Sequence, residues 1–348
     1  MFRLVFSLFL SVVAALALLA GTLAFGTRQA PPEMTAITAP FRAVDYSALP
    51  AAQQLQALRG GPIAYRRYGA GEETAVLLLH GSAAHSASMH VLAQGLAAGG
   101  ASVFVPDIRG HGLTGRRGDI EFASQLDDDI HSLVLMMREA LPKAQLVLAG
   151  FSAGGGLALT YAGGENGAEI DRLVLIAPAL GPSSPTMAAG QTDRWATPFL
   201  PRLIALDLLN RAGIPLFNAL AAIAFAIPAA PVEPPLTGTY SYRLLKAMMP
   251  ADYRASIDGV MRPITLVLGG EDELFDAALM RKTMTEARRD VSVSLVPGVG
   301  HAGLILAPPA IFTIADAVTG RNIESRPSQD EGDMLLPQGA EGTAPKAP

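Results

Sequence analysis

Short runs of apolar residues recur along the middle of the chain, and each run ends at glycine, proline or a polar residue. Most of these runs are continuous rather than alternating, which indicates strands that are buried on both faces of a sheet. The first run alternates loosely with polar residues and is typical of an edge strand. The pattern predicts strands at residues 63–68, 75–79, 102–105, 145–149, 172–176, 264–268 and 292–296.

Segments of helical length separate these predicted strands. Strands that alternate with helices favour an α/β fold with a mostly parallel, doubly wound sheet. In such sheets ligands bind outside the carboxyl ends of the strands, so we expect the reactive residues in the loops that directly follow the apolar runs. The clearest helical segments are residues 88–98, 124–140, 154–162 and 277–288.

The N-terminal segment, residues 1–27, is strongly apolar. Residues 4–27 carry no charge, and as a helix they would extend roughly 36 Å, enough to cross a hydrocarbon layer of about 30 Å. We therefore expect a transmembrane helix and a single-pass membrane protein, with Arg3 in the cytoplasm and the following domain extracytoplasmic. The alternative is a cleaved signal peptide, which would leave the domain secreted or periplasmic.

Three further segments depart from the strand and helix pattern. Residues 28–58 are rich in Pro, Ala and Thr and are predicted to be a linker. Residues 181–260 lack an obvious strand and contain many prolines, so we expect a helical cap inserted over the strand ends of a domain that spans residues 59–320. Residues 321–348 are polar and are predicted to be a disordered tail.

Composition narrows the range of functions. Half of the residues are apolar and 16% are charged. The net charge is -5 and no basic cluster stands out, so nucleic acid is not an expected partner. Cysteine is absent from the sequence, which excludes disulfides, thiol catalysis and Cys-ligated zinc. We expect neither a metal nor an organic cofactor, and the oligomeric state stays open.

The segment Gly150-Phe151-Ser152-Ala153-Gly154 matches the G-x-S-x-G pattern. It follows a predicted buried strand and precedes a predicted helix, which is the setting of a nucleophile elbow. Glycines suit the sharp turn, and the amino terminus of the following helix favours negative charge. The pattern makes Ser152 the candidate nucleophile, and a glycine-rich helix start is the alternative interpretation.

A serine hydroxyl needs a base, and the base needs a carboxylate that holds it in one tautomer. His301 follows the last predicted strand and is the candidate base, with a structural loop histidine as the alternative. Asp272 follows a Gly-Gly turn after the preceding strand and is the candidate acid. The chain order Ser…Asp…His is the one expected for this fold. Other acids in the same loop are alternatives to Asp272, namely Glu271, Glu273 and Asp276.

The oxyanion of a tetrahedral intermediate needs two backbone donors. One should be the N–H of Ala153, directly after the nucleophile, and the other should lie in the loop after residues 75–79. We expect the N–H of Ser82 in that role, with Ala83 as the alternative. His80 in the same loop is expected to be structural.

Five motifs in this order resemble the α/β-hydrolase superfamily over about residues 60–318, and they look like its lysophospholipase, monoacylglycerol lipase and serine aminopeptidase branch. The resemblance implies that Arg109 and His111 are structural. One departure is the segment after Gly112, Leu-Thr-Gly-Arg-Arg-Gly, which lacks a serine that is common in relatives. Ser152 argues against dehalogenase and epoxide hydrolase relatives, which carry Asp there. The motifs lie at residues 80–82, 106–112, 150–154, 269–274 and 300–301.

The candidate residues predict acyl transfer in two steps. Ser152 attacks an ester or amide carbonyl while His301 takes its proton, and water then releases the acyl group. The apolar cap and the N-terminal segment favour a lipid-like carboxylic ester, such as a lysophospholipid or monoacylglycerol. A serine peptidase or amidase and an esterase for small esters are alternatives on the same triad. A membrane-tethered binding protein without turnover, and a perhydrolase or acyltransferase, are further alternatives.

Overall fold

A computed structural model describes residues 2–26, 29–188, 195–229 and 235–320 of the chain. Its strands are β1 (Gln53–Gln56), β2 (Pro62–Tyr68), β3 (Thr74–Leu79), β4 (Ser102–Pro106), β5 (Gln145–Phe151), β6 (Arg172–Ile176), β7 (Ala196–Pro198), β8 (Ala221–Phe225), β9 (Thr239–Ser241), β10 (Ile264–Gly269) and β11 (Ser292–Val296). Eight of them form the main sheet in the order β1-β2-β4-β3-β5-β6-β10-β11. The strand β2 runs antiparallel to β1 and β4, and the other pairs are parallel.

The helices are α1 (Phe2–Phe25), α2 (Thr35–Thr38), α3 (His90–Ala98), α4 (Gln125–Ala140), α5 (Ala153–Ala162), α6 (Leu200–Arg211), α7 (Tyr242–Ala247), α8 (Tyr253–Gly259), α9 (Ala277–Ala287), α10 (Gly303–Leu306) and α11 (Pro308–Thr319), with 3-10 turns at Ala39–Ala43, Ser86–Met89 and Gly167–Glu169. The helices α3, α4, α5, α9, α10 and α11 pack against the main sheet. The helices α3 and α11 contact each other, and the helices α5 and α9 both contact α8. Every predicted strand is present, so the expected α/β fold with a mostly parallel sheet is confirmed.

The parallel register brings the predicted reactive loops to one edge of the sheet. Leu79 at the end of β3 pairs with Gly150 of β5, and Phe151 pairs with Ile176 of β6. The strand β10 ends beside the end of β11. All six residues of β10 are buried, because β10 lies between β6 and β11 and helices pack against it. The loops after β3, β5, β10 and β11 therefore start at one rim.

The cap over this rim contains a small sheet as well as helices. The strands β7, β8 and β9 pair in an antiparallel manner. The expectation of a helical cap at residues 181–260 is therefore wrong in this part. The sequence of β8, Ala-Ala-Ile-Ala-Phe, has no strong strand signal, and its partners β7 and β9 are three residues each. Pairing of such short strands depends on their packing against the rest of the protein.

The stretch predicted to be a linker, residues 28–58, is folded over its described part. It forms α2, the 3-10 turn Ala39–Ala43 and the edge strand β1. The amide of Met34 donates to the carbonyl of Ala226 at 3.1 Å, and Ile37 is 7% exposed. The linker prediction is therefore wrong. This Pro-rich stretch contacts the cap, and its apolar side chains pack into the core. The tail predicted to be disordered, residues 321–348, lies outside the described residues.

The N-terminal helix α1 ends against the cap. Leu23 is buried there, and the guanidinium of the buried residue Arg202 on α6 donates to the carbonyl of Leu23 at 2.7 Å. Among the described residues, no helix combines the length and apolar character that a membrane crossing requires. The predicted transmembrane helix is therefore not supported, and the last turn of α1 contacts protein.

Candidate active site

Ser152 lies in a strained turn between β5 and α5. Its backbone has φ 55° and ψ −120°, a left-handed conformation that is rare for a residue with a side chain. The amide of Ser152 donates to the carbonyl of Ile176 at 2.9 Å. A Cβ on Gly154 would lie 2.3 Å from the carbonyl oxygen of His80. Only glycine fits at residue 154, so the motif is required by the close approach of two backbone segments.

Asp272 and His301 form a buried hydrogen-bonded pair. The imidazole Nδ1 lies 2.8 Å from Asp272 Oδ2, and the side chains are 3% (His301) and 2% (Asp272) exposed. The other carboxylate oxygen accepts the amides of Leu274 and Phe275 at 2.8 and 3.0 Å. Burial alone would raise the pKa of Asp272, but the neighbouring imidazole and these hydrogen bonds outweigh burial and lower the pKa. The carboxylate therefore stays ionised beside the imidazole.

The neighbouring acids have other partners. Glu273 accepts the backbone amide of His301 at 2.7 Å, which holds the loop rather than the imidazole. Asp276 caps α9 by accepting the amide of Leu279 at 2.8 Å. Of the four acids considered in this loop, Asp272 is the one whose carboxylate reaches the imidazole of His301.

Two aromatic rings hold the imidazole of His301 in place. The ring of Phe151 lies 4.6 Å from the imidazole, and the ring of Phe275 lies 5.5 Å away, both measured between centroids. With Nδ1 donating to a carboxylate, the neutral imidazole carries its lone pair on Nε2. Among the described residues, no hydrogen bond joins Ser152 to His301. Catalytic hydrogen bonds often tighten only when substrate binds.

The two expected oxyanion donors lie on loops that meet at the sheet edge. A Cβ on Gly81 would lie 3.2 Å from Ser152 Cβ, so the loop after β3 passes directly beside the candidate nucleophile. Neither Ser82 nor Ala153 has a backbone acceptor for its N–H within the described part of the chain. The alternative donor, Ala83, donates its N–H to the hydroxyl of Tyr240 at 2.6 Å. These contacts favour Ser82 over Ala83.

The residues expected to be structural are buried and bonded within the loops. His80 accepts the amide of Ile108 through Nε2 at 3.1 Å, and His111 contacts the carbonyl of Ile108 through Nδ1 at 3.0 Å. Burial lowers the pKa of both histidines to about 3. Arg109 makes two hydrogen bonds to Asp129 at 2.7 and 2.9 Å. None of these contacts places a reactive group beside Ser152.

An apolar cavity of about 550 Å³ lies next to the loops that carry Ser152 and His301. Its wall includes Ser82, Phe151 and His301 from the site. The other walls come from separate parts of the chain, namely the stretch at residues 29–58, the loop after β3, the cap, the loop after β10 and α10. The apolar residues of these walls include Ile37, Phe41, Ile227, Leu236, Leu274 and Ile305.

The sequence patterns did not predict the roles of several residues at the site. Tyr240 and Trp195 of the cap contact the loop after β3, although they lie more than a hundred positions away in sequence. Glu273 was weighed only as an alternative acid. No local pattern marks a lone tyrosine or tryptophan as a partner of a distant loop. Within the described residues, no group of three or more potential ligands is arranged to hold a metal ion.

Comparison with protein families agrees with this architecture. The family model described as "Serine aminopeptidase, S33", a family of hydrolases, matches residues 71–305, which is more than half of the chain. The chain belongs to this family. The matched region contains both the Ser152 turn and the Asp272–His301 pair. The protein is thus an α/β hydrolase, as the five motifs in the sequence indicate.

Individual relatives point in the same direction. A monoacylglycerol lipase of Mycolicibacterium smegmatis is 34% identical over 106 residues, which is 30% of this chain and 38% of that relative. The match therefore spans well under half of the relative's length. A soluble variant of monoglyceride lipase from Saccharomyces cerevisiae, solved with a substrate analogue, has a TM-score of 0.59 at 19% identity and covers 80% of this chain and 96% of that chain. The monoacylglycerol lipase of Paleococcus ferrophilus has a TM-score of 0.55 at 19% identity, covering 74% and 98%. These two structures share the fold.

Proposed function

We propose that this hydrolase cleaves carboxylic esters of lipid-like acyl groups, such as a monoacylglycerol or lysophospholipid, through an acyl-enzyme on Ser152. The observation that carries the proposal is the buried hydrogen bond between Asp272 and His301 at the wall of an apolar cavity. The strained turn at Ser152 begins α5 at the same edge of the sheet. Nucleophile, base and acid thus come from three loops that the fold brings to one rim.

The proposed reaction forms and breaks one covalent bond to the enzyme. Ser152 Oγ attacks the carbonyl carbon while His301 Nε2 takes the hydroxyl proton, and Asp272 stabilises the resulting imidazolium. The oxyanion accepts hydrogen bonds from the N–H groups of Ser82 and Ala153, each worth about 3–4 kcal/mol in the transition state. His301 then protonates the leaving alcohol. A water that His301 deprotonates then attacks the acyl-enzyme. The bond between the acyl carbon and Ser152 Oγ breaks as His301 returns the proton to that oxygen, and the free acid leaves.

The cavity supports an acyl chain as the group that is recognised. Its volume lies within the roughly 300–1,000 Å³ typical of small-molecule sites. Burial of methylene groups against its apolar walls would contribute about 0.8 kcal/mol each. The names of the similar proteins, two of them monoacylglycerol lipases and one a monoglyceride lipase, support the same substrate class.

A peptidase is the second candidate, because the family is named after serine aminopeptidases. An aminopeptidase must bind a substrate ammonium group, which calls for a free carboxylate in the cavity. Glu33 lies in the cavity wall, but its carboxylate is paired with Arg42 at 2.6 Å and accepts the hydroxyl of Thr38. This pairing favours a neutral ester over a cationic peptide end.

The test is to replace Ser152 by Ala and measure turnover of an ester panel. We expect the wild type to hydrolyse 4-nitrophenyl esters with rising kcat/KM from acetate towards dodecanoate, and to cleave a monoacylglycerol or a lysophosphatidylcholine. An aminoacyl 4-nitroanilide should be cleaved far more slowly, because amides are less reactive and Glu33 is paired. Ser152→Ala should lower kcat by about 10⁴-fold or more while the protein stays folded.

A matched control is Ser292→Ala, at an exposed position at the start of β11, which should leave turnover unchanged. A fluorophosphonate probe should label the wild type at Ser152 and should not label Ser152→Ala. Full activity of Ser152→Ala, or folded wild-type protein that the probe does not label, would contradict the proposal. The second result would instead support a binding protein on a hydrolase scaffold.

A further inference from the structure

The loop after β3 is held by the cap as well as by the body of the protein. Ala83 has φ +62°, a left-handed conformation that is unfavourable for alanine. Its N–H donates to the hydroxyl of Tyr240 at 2.6 Å, and its carbonyl accepts the amide of Thr237 at 2.9 Å. Both backbone groups of the strained residue are therefore bonded to the cap.

The neighbouring residue in this loop is bonded to the cap too. Trp195, which precedes β7, donates its indole N–H to Ser82 Oγ at 2.9 Å. Two consecutive residues of the loop thus make three hydrogen bonds to the cap, through Trp195, Thr237 and Tyr240. The peptide that carries the Ser82 N–H lies directly before these attachments.

The direction of each hydrogen bond at Tyr240 follows from His111. The Nδ1 of His111 faces the carbonyl of Ile108 at 3.0 Å and must therefore carry the proton. Burial lowers the pKa of His111 to about 3 and raises that of Tyr240. The bare Nε2 of a neutral His111 accepts the hydroxyl of Tyr240 at 2.6 Å. The Tyr240 oxygen then presents its lone pairs to the N–H of Ala83.

This arrangement leaves the N–H of Ser82 for substrate. Without its hydrogen bond to Tyr240, the N–H of Ala83 would be a second donor in the same loop and would need another acceptor. We propose that Tyr240 is a positioning residue, which sets the Ser82 N–H as an oxyanion donor by holding Ala83 from the cap. This proposal rests on the proposed function, since it assigns a role in the oxyanion hole of that reaction.

The physical reason is preorganisation. A backbone donor stabilises an oxyanion most when it is fixed before the reaction, because no reorganisation is then needed as charge develops. Loss of one oxyanion donor typically lowers kcat by about 10²–10³-fold. A donor that is present but loosely held should lose a part of that factor. Tyr240 does not line the cavity wall described above, so ground-state binding of an acyl chain should change little.

The experiment is Tyr240→Phe, measured on a medium-chain 4-nitrophenyl ester. The phenyl ring keeps its packing against Phe225 and His111, and only the hydroxyl is lost. We expect kcat to fall roughly 10- to 100-fold, a part of the loss for a missing donor, with KM within about twofold of the wild type. A trifluoromethyl ketone, which forms a tetrahedral adduct, should bind more weakly by a similar factor, whereas a fatty alcohol of equal length should bind unchanged.

The matched control is Tyr242→Phe, two positions along in the same cap. Tyr242 is also buried, but its hydroxyl donates to Asp207 rather than to the loop after β3. This variant should lose stability to a similar extent and keep its kcat. If Tyr240→Phe keeps kcat within about twofold, or if both variants lose kcat equally, Tyr240 has no positioning role.

A second variant tests the other hydrogen bond from the cap to this loop. Ser82→Ala removes the acceptor of the Trp195 indole and keeps the Ser82 N–H. If the cap positions this loop, kcat should fall with little change in KM. A kcat within about twofold of the wild type would contradict positioning by the cap, also where Tyr240→Phe does not fold. The two proposals fail separately: an inert wild type that no fluorophosphonate labels contradicts the proposed function, whereas an active wild type with an equally active Tyr240→Phe contradicts only the role of Tyr240.

Discussion

Three non-glycine residues with positive φ lie at the same edge of the main sheet. Ala83 follows β3, Ser152 follows β5 and Ala177 follows β6, with φ of 62°, 55° and 41°. Backbone strain of this kind costs on the order of 1–3 kcal/mol per residue and persists only where surrounding contacts hold it. At Ser152 those contacts include the hydrogen bond from its amide to the carbonyl of Ile176, and at Ala83 they come from the cap.

The buried histidines His80 and His111 predict a pH dependence of stability. The pKa of each is about 6.5 in the unfolded chain and is lowered to about 3 in the folded protein by burial. Between these values the unfolded state binds more protons, so the stability present above about pH 6.5 declines as pH falls towards about 3. The decline should approach about 1.4 kcal/mol per pH unit for each histidine.

Urea unfolding of the wild type and His80→Gln, from about pH 8 to about pH 5, checks this dependence. The Gln amide can donate to Gly81 and accept from Ile108, as the imidazole of His80 does. We expect the variant to lose stability less steeply below about pH 6.5, by about 1.4 kcal/mol per pH unit. Equal slopes for the two proteins would show that His80 does not titrate on unfolding.

At the scale of elements, a buried ion pair joins the loop after β4 to α4. Arg109 in the loop and Asp129 on α4 have side chains that are 3% and 7% exposed. Burial raises the pKa of Asp129, and the guanidinium of Arg109 opposes that shift. The guanidinium also donates to the carbonyl of Gly61 at 2.9 Å, so one side chain links the turn before β2, the loop after β4 and α4. The loop shaped by this contact also carries His111.

Asp129→Ala should destabilise the protein by about 3–5 kcal/mol, because it leaves the Arg109 charge buried without a partner. The adjacent substitution Asp128→Ala is the control. Asp128 pairs with Arg59 at 3.1 Å, but Arg59 is 61% exposed, and such pairs contribute about 0–1 kcal/mol. Chemical denaturation gives both values, and similar losses for the two variants would argue against a special role of the buried pair.

On the scale of the whole molecule, the cavity is built by parts of the chain that are far apart in sequence. Ile37 and Phe41 come from the stretch at residues 29–58, Ile227 and Leu236 from the cap, and Ile305 from α10. The length and width of the cavity therefore depend on how these parts pack together. A substitution in residues 29–58 should change chain-length preference without touching the reactive residues.

Phe41→Ala should raise KM for a 4-nitrophenyl dodecanoate by roughly 3- to 10-fold, because a partly buried aromatic wall is lost, worth about 1 kcal/mol. The kcat/KM for the acetate should stay unchanged, since its acyl group is too short to reach that wall. Phe312→Ala is the control, because Phe312 is 67% exposed on α11 and lies outside the cavity wall. Equal effects on both esters would place Phe41 outside the acyl site.

The fold of the main sheet followed from local patterns. Continuous apolar runs predict β3, β4, β5, β6 and β10, because both faces of a central strand are covered and its residues can all be apolar. The edge strand β11 is partly exposed, and its run contains two serines. The strand β1, the helix α2 and the small sheet of β7–β9 did not follow, because their sequences are short or rich in proline, alanine and polar residues. Contacts with other parts of the chain stabilise them.

The amino-acid sequence by itself determined the α/β class, the order of the reactive loops and the candidates Ser152, His301 and Asp272, because strand burial and sharp turns leave local signals. Only the tertiary structure decided which acid reaches the imidazole, which amide of the loop after β3 stays open, and that residues 29–58 and the cap help to enclose the cavity. These outcomes depend on contacts between residues that are distant in sequence, such as Ala83 and Tyr240. No periodicity along the chain encodes a distance between two such residues.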